Sequence, residues 1–162
     1  MAYTADVRVM PVLMDLHECL CTELEKSGLS ADCACLLVHG NVLNVAPPTA
    51  GKGVAWVGIQ SIYPSKTFPS PVSDRDTCVA PLAALVTVGL LRCYAVKVNG
   101  ESYEDMLLWM DKQMADMAAM RRAIVCCGLS VEDISLGVYT PIGPEGGVYG
   151  GTWTVTLGQP NG

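Results

Sequence analysis

Residues 82–91, LAALVTVGLL, are apolar or small at nearly every position, so the run lacks the polar-out alternation of a half-exposed strand and reads as a central strand. A turn at Asn99-Gly100 follows, and then Ser102 stands where a helix N-cap belongs, with Asp105 three residues on as a short-armed capping box. The spacing predicts a helix from about Tyr103. Its apolar positions, Tyr103, Leu107, Met110, Met114, Met117 and Ile124, recur at steps of four and three, while Glu104, Asp111, Lys112 and Arg122 fall elsewhere on the circumference. One dry face is therefore expected along that stripe. Arg121 and Arg122 suit the negative end of the helix dipole, and Gly128 suits a left-handed C-cap.

A chain of 162 residues fits one domain, 1–162, large enough to bury a core without covalent staples. It is 51% hydrophobic and only 16% charged, a balance that points to apolar surface facing other protein chains, hence to an oligomer. The net charge is -6 and no Lys/Arg run forms a stripe, which disfavours tight nucleic-acid binding. No apolar run reaches the roughly 20 residues of a membrane span, and the N-terminus lacks the pattern of a signal peptide, so a protein that is cytosolic when made is expected. For that compartment the eight cysteines are expected as reduced thiols. Cys19 and Cys21 point about 200° apart on a helix and cannot chelate together. Cys33, Cys35, His39, Cys126 and Cys127 lack zinc-knuckle spacing, so the cysteines are expected as small buried hydrophobes, with a metal site formed by their convergence as the alternative.

Taken in order, residues 9–26 carry Leu13, Leu16, Leu20 and Leu24 at helical spacing and close on Ser27-Gly28, with Pro11 tolerable only in the opening turn. His17 lies between the leucines and the acidic face, as a partly buried helical histidine outside any triad pattern. Strands are expected over 34–39 and 54–63, paired as a hairpin. The intervening Thr49-Ala50-Gly51-Lys52-Gly53 lacks the spacing of a phosphate loop and precedes a strand. Residues 63–80 form a long Pro/Ser-rich loop, a type of segment that is usually functional or mobile, and it holds the single phenylalanine, Phe68. A further strand is expected over 134–139, then a Gly-rich bend over 141–151, then a strand over 152–157 that alternates Thr with apolar residues. No helix follows the glycines to aim its N-terminus at an anion, so cofactor binding there is not expected. The order helix, strand, strand, loop, strand, helix, strand, strand suits an α+β fold, a mainly antiparallel sheet with two helices packed on one face.

Several stretches together resemble the tail terminator (tail-completion, head-to-tail connector) proteins of long-tailed phages infecting actinobacteria. They are Ile62-Tyr63-Pro64-Ser65 with Phe68-Pro69; Val88-Gly89-Leu90-Leu91-Arg92-Cys93; Arg121-Arg122-Ala123 with Cys126-Cys127; and Gly143-Pro144-Glu145-Gly146-Gly147 with Gly150-Gly151-Thr152-Trp153-Thr154-Val155. The family pattern carries a cysteine near Val148, where this chain has none, which argues against an obligatory thiol at the bend. The resemblance implies a ring, expected to be a hexamer, at the head-proximal end of the tail tube. There it would stop tube polymerisation and meet a neck or connector protein. It implies a structural virion protein rather than an enzyme, with no catalytic residue, cofactor or metal, assembled in the host cytoplasm. DNA would pass through the lumen without specific binding, a passage that acidic walls would suit.

The candidate interface residues are Tyr63 and Phe68 in the long loop, Val148 and Tyr149 in the glycine bend, and Arg92 and Arg121 as partners for acidic groups across a subunit boundary. Two other functions stay open on sequence: another neck component, a stopper or adaptor, and, from a different class, a Cys/His metal-binding module or thiol enzyme.

Overall fold

The chain forms α1 (Met10–Lys26), β1 (Cys33–His39), β2 (Gly53–Pro64), β3 (Leu82–Cys93), α2 (Tyr103–Val125), β4 (Ile134–Glu145) and β5 (Val148–Leu157). The structure, a computed structural model, describes residues 9–28, 33–39, 53–72, 80–129, 131 and 133–158. The fold is α+β, with one mixed, mostly antiparallel sheet ordered β1-β2-β3-β5-β4. β3 lies at its centre, hydrogen-bonded along its length to β2 on one side and β5 on the other, as its unbroken apolar composition requires.

β1 and β2 do not form the expected hairpin. They run parallel, in register from Cys33 opposite Gly53 to His39 opposite Ile59. A parallel pair needs a crossover of a dozen or more residues, and the Pro-rich connection over 40–52 has that length. At the other end of the chain the expected glycine bend is a tight hairpin. β4 and β5 run on to Glu145 and Val148, joined by Gly146-Gly147, both with positive φ (58° and 84°) as a two-residue primed turn demands.

α1 follows its leucine periodicity closely. Pro11 sits in the first turn, where its missing N–H costs nothing, and Val12, Leu13, Leu16, Leu20 and Leu24 are buried. Each fully buried leucine contributes roughly 1.5–3 kcal/mol by leaving water. They share one core with Ala55 and Val57 of β2, Val86, Val88 and Leu90 of β3, Val155 and Leu157 of β5, and Ala119, Met120, Ala123 and Ile124 of α2. The strand members alternate along each strand, so they come from one side of the pleat. On the alternate side, Trp56 lies over Gly89, buried to 3% exposure, and a Cβ at Gly89 would overlap its indole ring.

Two disulfides replace the expected reduced thiols among these residues. Cys21 of α1 bonds Cys35 of β1, and Cys19 bonds Cys127 just beyond α2, with Cα separations of 5.9 and 6.0 Å. Cys19 and Cys21 point in different directions, as helical spacing dictates, and each reaches a different element. Cys93 and Cys126 are free thiols, while the side chains of Cys33 and His39 lie outside the described residues. The two helices are also joined by Arg122, whose guanidinium donates to the Glu23 carboxylate at 2.8 Å and to the Ser27 hydroxyl at 3.3 Å.

Two stability effects are expected. Gly89→Ala drives a methyl into the Trp56 ring, and overpacking of about 1–3 kcal/mol exceeds the roughly 0.5–1 kcal/mol gained by removing a strand glycine, so a net loss should appear in urea unfolding. The double variant Cys19→Ser/Cys127→Ser opens a link across 108 residues and should lower stability by about 2–5 kcal/mol in the same measurement.

Candidate functional site

The sequence places the dry face of α2 on the stripe Tyr103, Leu107, Met110, Met114, but this stripe faces solvent. Tyr103 is 74% exposed and Met110 49%, and Leu107, Leu108 and Met114 are exposed beside them. The buried residues of α2 are Gln113, Asp116, Ala119, Met120, Ala123 and Ile124, centred about a third of a turn away from the expected stripe at 100° per residue. Met117 and Ile124, at the edge of the predicted stripe, are half-buried and buried. The expectation of a dry face along Tyr103 to Met114 is therefore overturned.

Polar chemistry explains the rotation. Arg92, near the end of β3, donates from Nε to Asp116 Oδ2 at 2.7 Å and from Nη2 to Oδ1 at 3.0 Å, a two-pronged pair in which the Asp116 side chain is wholly buried. One turn earlier, Gln113 donates to the Ile142 carbonyl at 3.1 Å and to the Gly150 carbonyl, joining α2 to both strands of the β4-β5 hairpin. Trp153 of β5 donates its indole N–H to the Met117 carbonyl at 3.1 Å. These bonds can form only if the polar side of the helix turns inward. Further along, Ala119 and Ala123 are small enough to let α2 lie close to α1.

An aromatic group closes the same corner. Tyr94 stacks on Trp109 with centroids 4.1 Å apart, and Tyr149 lies 6.5 Å from Trp109 and 6.2 Å from Tyr94. With Arg92 and Lys112 they line an open cleft of about 520 Å³. Burial pushes the Tyr149 hydroxyl above its usual range, the nearby Arg92 guanidinium opposing; burial likewise pushes Tyr139 up to about 12, with the Asp116 carboxylate adding to the effect.

The segment after β3 adds exposed apolar side chains of its own. Tyr94 N–H donates to the Gly147 carbonyl at 2.9 Å, fastening this segment to the hairpin turn, and Val96 and Val98 stand out into solvent beyond it. The Ser102 hydroxyl accepts from Asp105 N–H at 3.1 Å, the expected N-cap. Lys97 pairs with the Asp105 carboxylate, which that ammonium and the Ser102 groups hold below its usual range while the lysine is raised. Val96, Val98, Tyr103, Leu107, Met110 and Met114 are thus exposed apolar side chains on a scaffold fixed from beneath.

The sequence-derived candidates meet different fates. Arg92 pairs within its own chain with Asp116, whose carboxylate reaches it from α2. Tyr149 is 4% exposed and fills the aromatic corner, so it is not an exposed anchor. Val148, half-buried, opens β5 opposite Cys93 and Glu145. Tyr63 is half-buried and donates its hydroxyl to the Pro69 carbonyl at 2.6 Å, steadying the loop in which Phe68, also half-buried, precedes a cis Pro69. The Ser65 N–H donates to the Pro81 carbonyl at 2.7 Å and Val72 N–H to the Pro64 carbonyl at 2.9 Å, so this part of the expected long loop is hydrogen-bonded; residues 73–79 lie outside the described ones. Arg121 is exposed near the end of α2. Of the five candidate metal ligands, Cys35 and Cys127 are disulfide-bonded to different residues of α1 and Cys126 is an exposed free thiol, while the side chains of Cys33 and His39 lie outside the described residues. No helix among the described residues is long and apolar enough to cross a membrane.

Substituting Asp116→Asn removes the charge that balances Arg92 in a dry setting. Unfolding in urea should show a loss of about 3–5 kcal/mol, whereas Asp111→Asn on the exposed side should stay within about 0.5 kcal/mol. No protein-family model matches the chain, and no curated protein matches it.

Proposed function

We propose that this chain is a structural, ring-forming virion protein of the tail-terminator kind, its two helices packed on one face of the sheet. The observation that carries the reading is the outward apolar face of α2, with Val96 and Val98 also exposed before it, on a helix that buries Gln113 and Asp116 instead. A surface stripe of this sort is the usual mark of a protein–protein contact. The occupant is a second copy of the same chain, because a charge-poor composition with an apolar surplus fits repeated contacts between identical subunits. A ring, expected to have six members, would sit on the tail tube protein and present its other rim to the neck protein. Its acidic balance would let DNA slide through the lumen without phosphate contacts to hold it. Shape and apolar contact, rather than bond-making chemistry, would carry the work.

Light scattering of the purified protein, alone and with tube protein, tests the assembly. The wild type should form rings, and Leu107→Glu/Met110→Glu should shift the population toward the 17.2 kDa protomer by at least tenfold in apparent affinity while leaving the urea midpoint unchanged. A wild-type protein that stays monomeric even with tube protein overturns the ring. Electron micrographs of particles lacking the protein separate the roles: overlong tubes support termination, and normal tubes detached from heads favour a stopper or adaptor.

A further inference from the structure

His17 and Cys21 stand one turn apart on α1, so their side chains lie one above the other on the same side of the helix. Cys35 of β1 meets them there. One ring nitrogen of His17 and the two sulfurs all lie within 4.8 Å of one another, each on a half-buried residue. The His17 Nε2 is 3.6 Å from Cys21 Sγ and 3.0 Å from the Cys35 carbonyl. The disulfide uses only the two cysteines; His17 is held beside them by the hydrogen bond from its Nε2 to the Cys35 carbonyl, a bond that metal coordination through Nε2 would replace.

Those distances fit a metal ion. Zinc binds sulfur at about 2.3 Å and imidazole nitrogen at about 2.0–2.1 Å in tetrahedral geometry, which sets a sulfur–nitrogen edge of about 3.5–3.6 Å and a sulfur–sulfur edge of about 3.8 Å. One sulfur–nitrogen edge of that length is already present, from His17 Nε2 to Cys21 Sγ. The sulfur–sulfur edge requires the sulfurs of an opened disulfide to swing apart about their Cα–Cβ bonds, on Cα atoms 5.9 Å apart. The three side chains line a solvent-open cleft of about 360 Å³ that also holds Glu18 and Glu25, so the fourth position is open to water or a carboxylate and the surrounding charge favours a cation.

We propose that the reduced protein binds one Zn²⁺ through His17, Cys21 and Cys35, so that the same position carries either a disulfide or a metal ion. A thiol reductant opens the bond, two RSH becoming RSSR while Cys21 and Cys35 each gain a proton. Zinc then displaces both thiol protons to solvent and is held by two thiolates and the neutral imidazole. The tie between α1 and β1 therefore persists in a reducing cytoplasm, where a disulfide alone would be lost.

The experiment uses the full chain, reduced with a phosphine, desalted without oxygen and titrated with Zn²⁺ against a chromogenic chelator, then with Co²⁺. One Zn²⁺ per chain, a thiolate-to-cobalt charge-transfer band and a zinc-dependent rise in the melting temperature of the reduced protein are expected. His17→Ala and His17→Gln leave every cysteine in place and should weaken zinc binding at least tenfold, and Cys21→Ser should abolish the charge-transfer band or halve it. Cys19→Ser/Cys127→Ser, Cys33→Ser and Cys126→Ser should bind as the wild type does. The imidazole resonances of His17, one of two histidines in the chain, should shift on zinc addition while the protein stays folded. Undiminished zinc affinity in both His17 variants, loss of binding in the Cys33 or Cys126 variant, or absence of stoichiometric zinc from the folded reduced wild type would each overturn the site.

Discussion

The two-pronged bond between Arg92 and Asp116 decides which way α2 faces, and much of the rest of the molecule depends on that rotation. A carboxylate with no exposure cannot be left without a positive partner, because the desolvation of a lone charge costs several kcal/mol, more than burying any one of the exposed methionines would gain. The helix therefore turns Asp116 and Gln113 inward, toward the β3 guanidinium and the carbonyls of the β4-β5 hairpin, and gives up burial of Tyr103, Leu107, Met110 and Met114. Hydrophobic burial is non-directional and can be met in many ways, whereas a planar guanidinium accepts a carboxylate in few. The directional requirement wins.

That competition separates what could be read in the sequence from what could not. The position of β3, the leucine face of α1 and the Ser102 cap were legible because each depends on local spacing or on composition alone. The face of α2 was not, since hydropathy ranks Asp116 and Gln113 as surface residues and cannot register an arginine 24 positions away. The parallel pairing of β1 and β2 was missed for a related reason: adjacent strands are usually hairpins, and the signal against it was only the length of the connection at 40–52. At the glycine bend the information was present, in Glu145-Gly146-Gly147-Val148, where a Gly-Gly pair between strand-forming residues is a two-residue turn signal.

The cysteines show how compartment and geometry can disagree. Reduced thiols follow from a cytosolic setting, yet α1 brings Cys19 beside Cys127 and Cys21 beside Cys35 at Cα separations near 6 Å, within the usual range for a disulfide. Those contacts arise from packing of α1 on β1, β2 and α2, driven by its buried leucines. The sulfurs come together because of the core, and their chemical state is then set by what surrounds the protein. The half-buried His17 beside one pair but not the other makes the two positions chemically unequal.

The outward face of α2 also limits how copies of this chain can associate. At the outer edge of the sheet, β4 carries Pro141 and Pro144 and two breaks in register, so its free side offers a poor ladder for another strand. The stripe on α2 is already partly covered, so sealing five such side chains would contribute on the order of 4–7 kcal/mol, about half their full transfer value. Pairing two proteins costs an estimated 4–15 kcal/mol in lost freedom. A single contact of this kind therefore sits near balance; in the ring we propose, where each copy would meet two neighbours on a tube that orients it, the added contacts would supply what an isolated pair lacks.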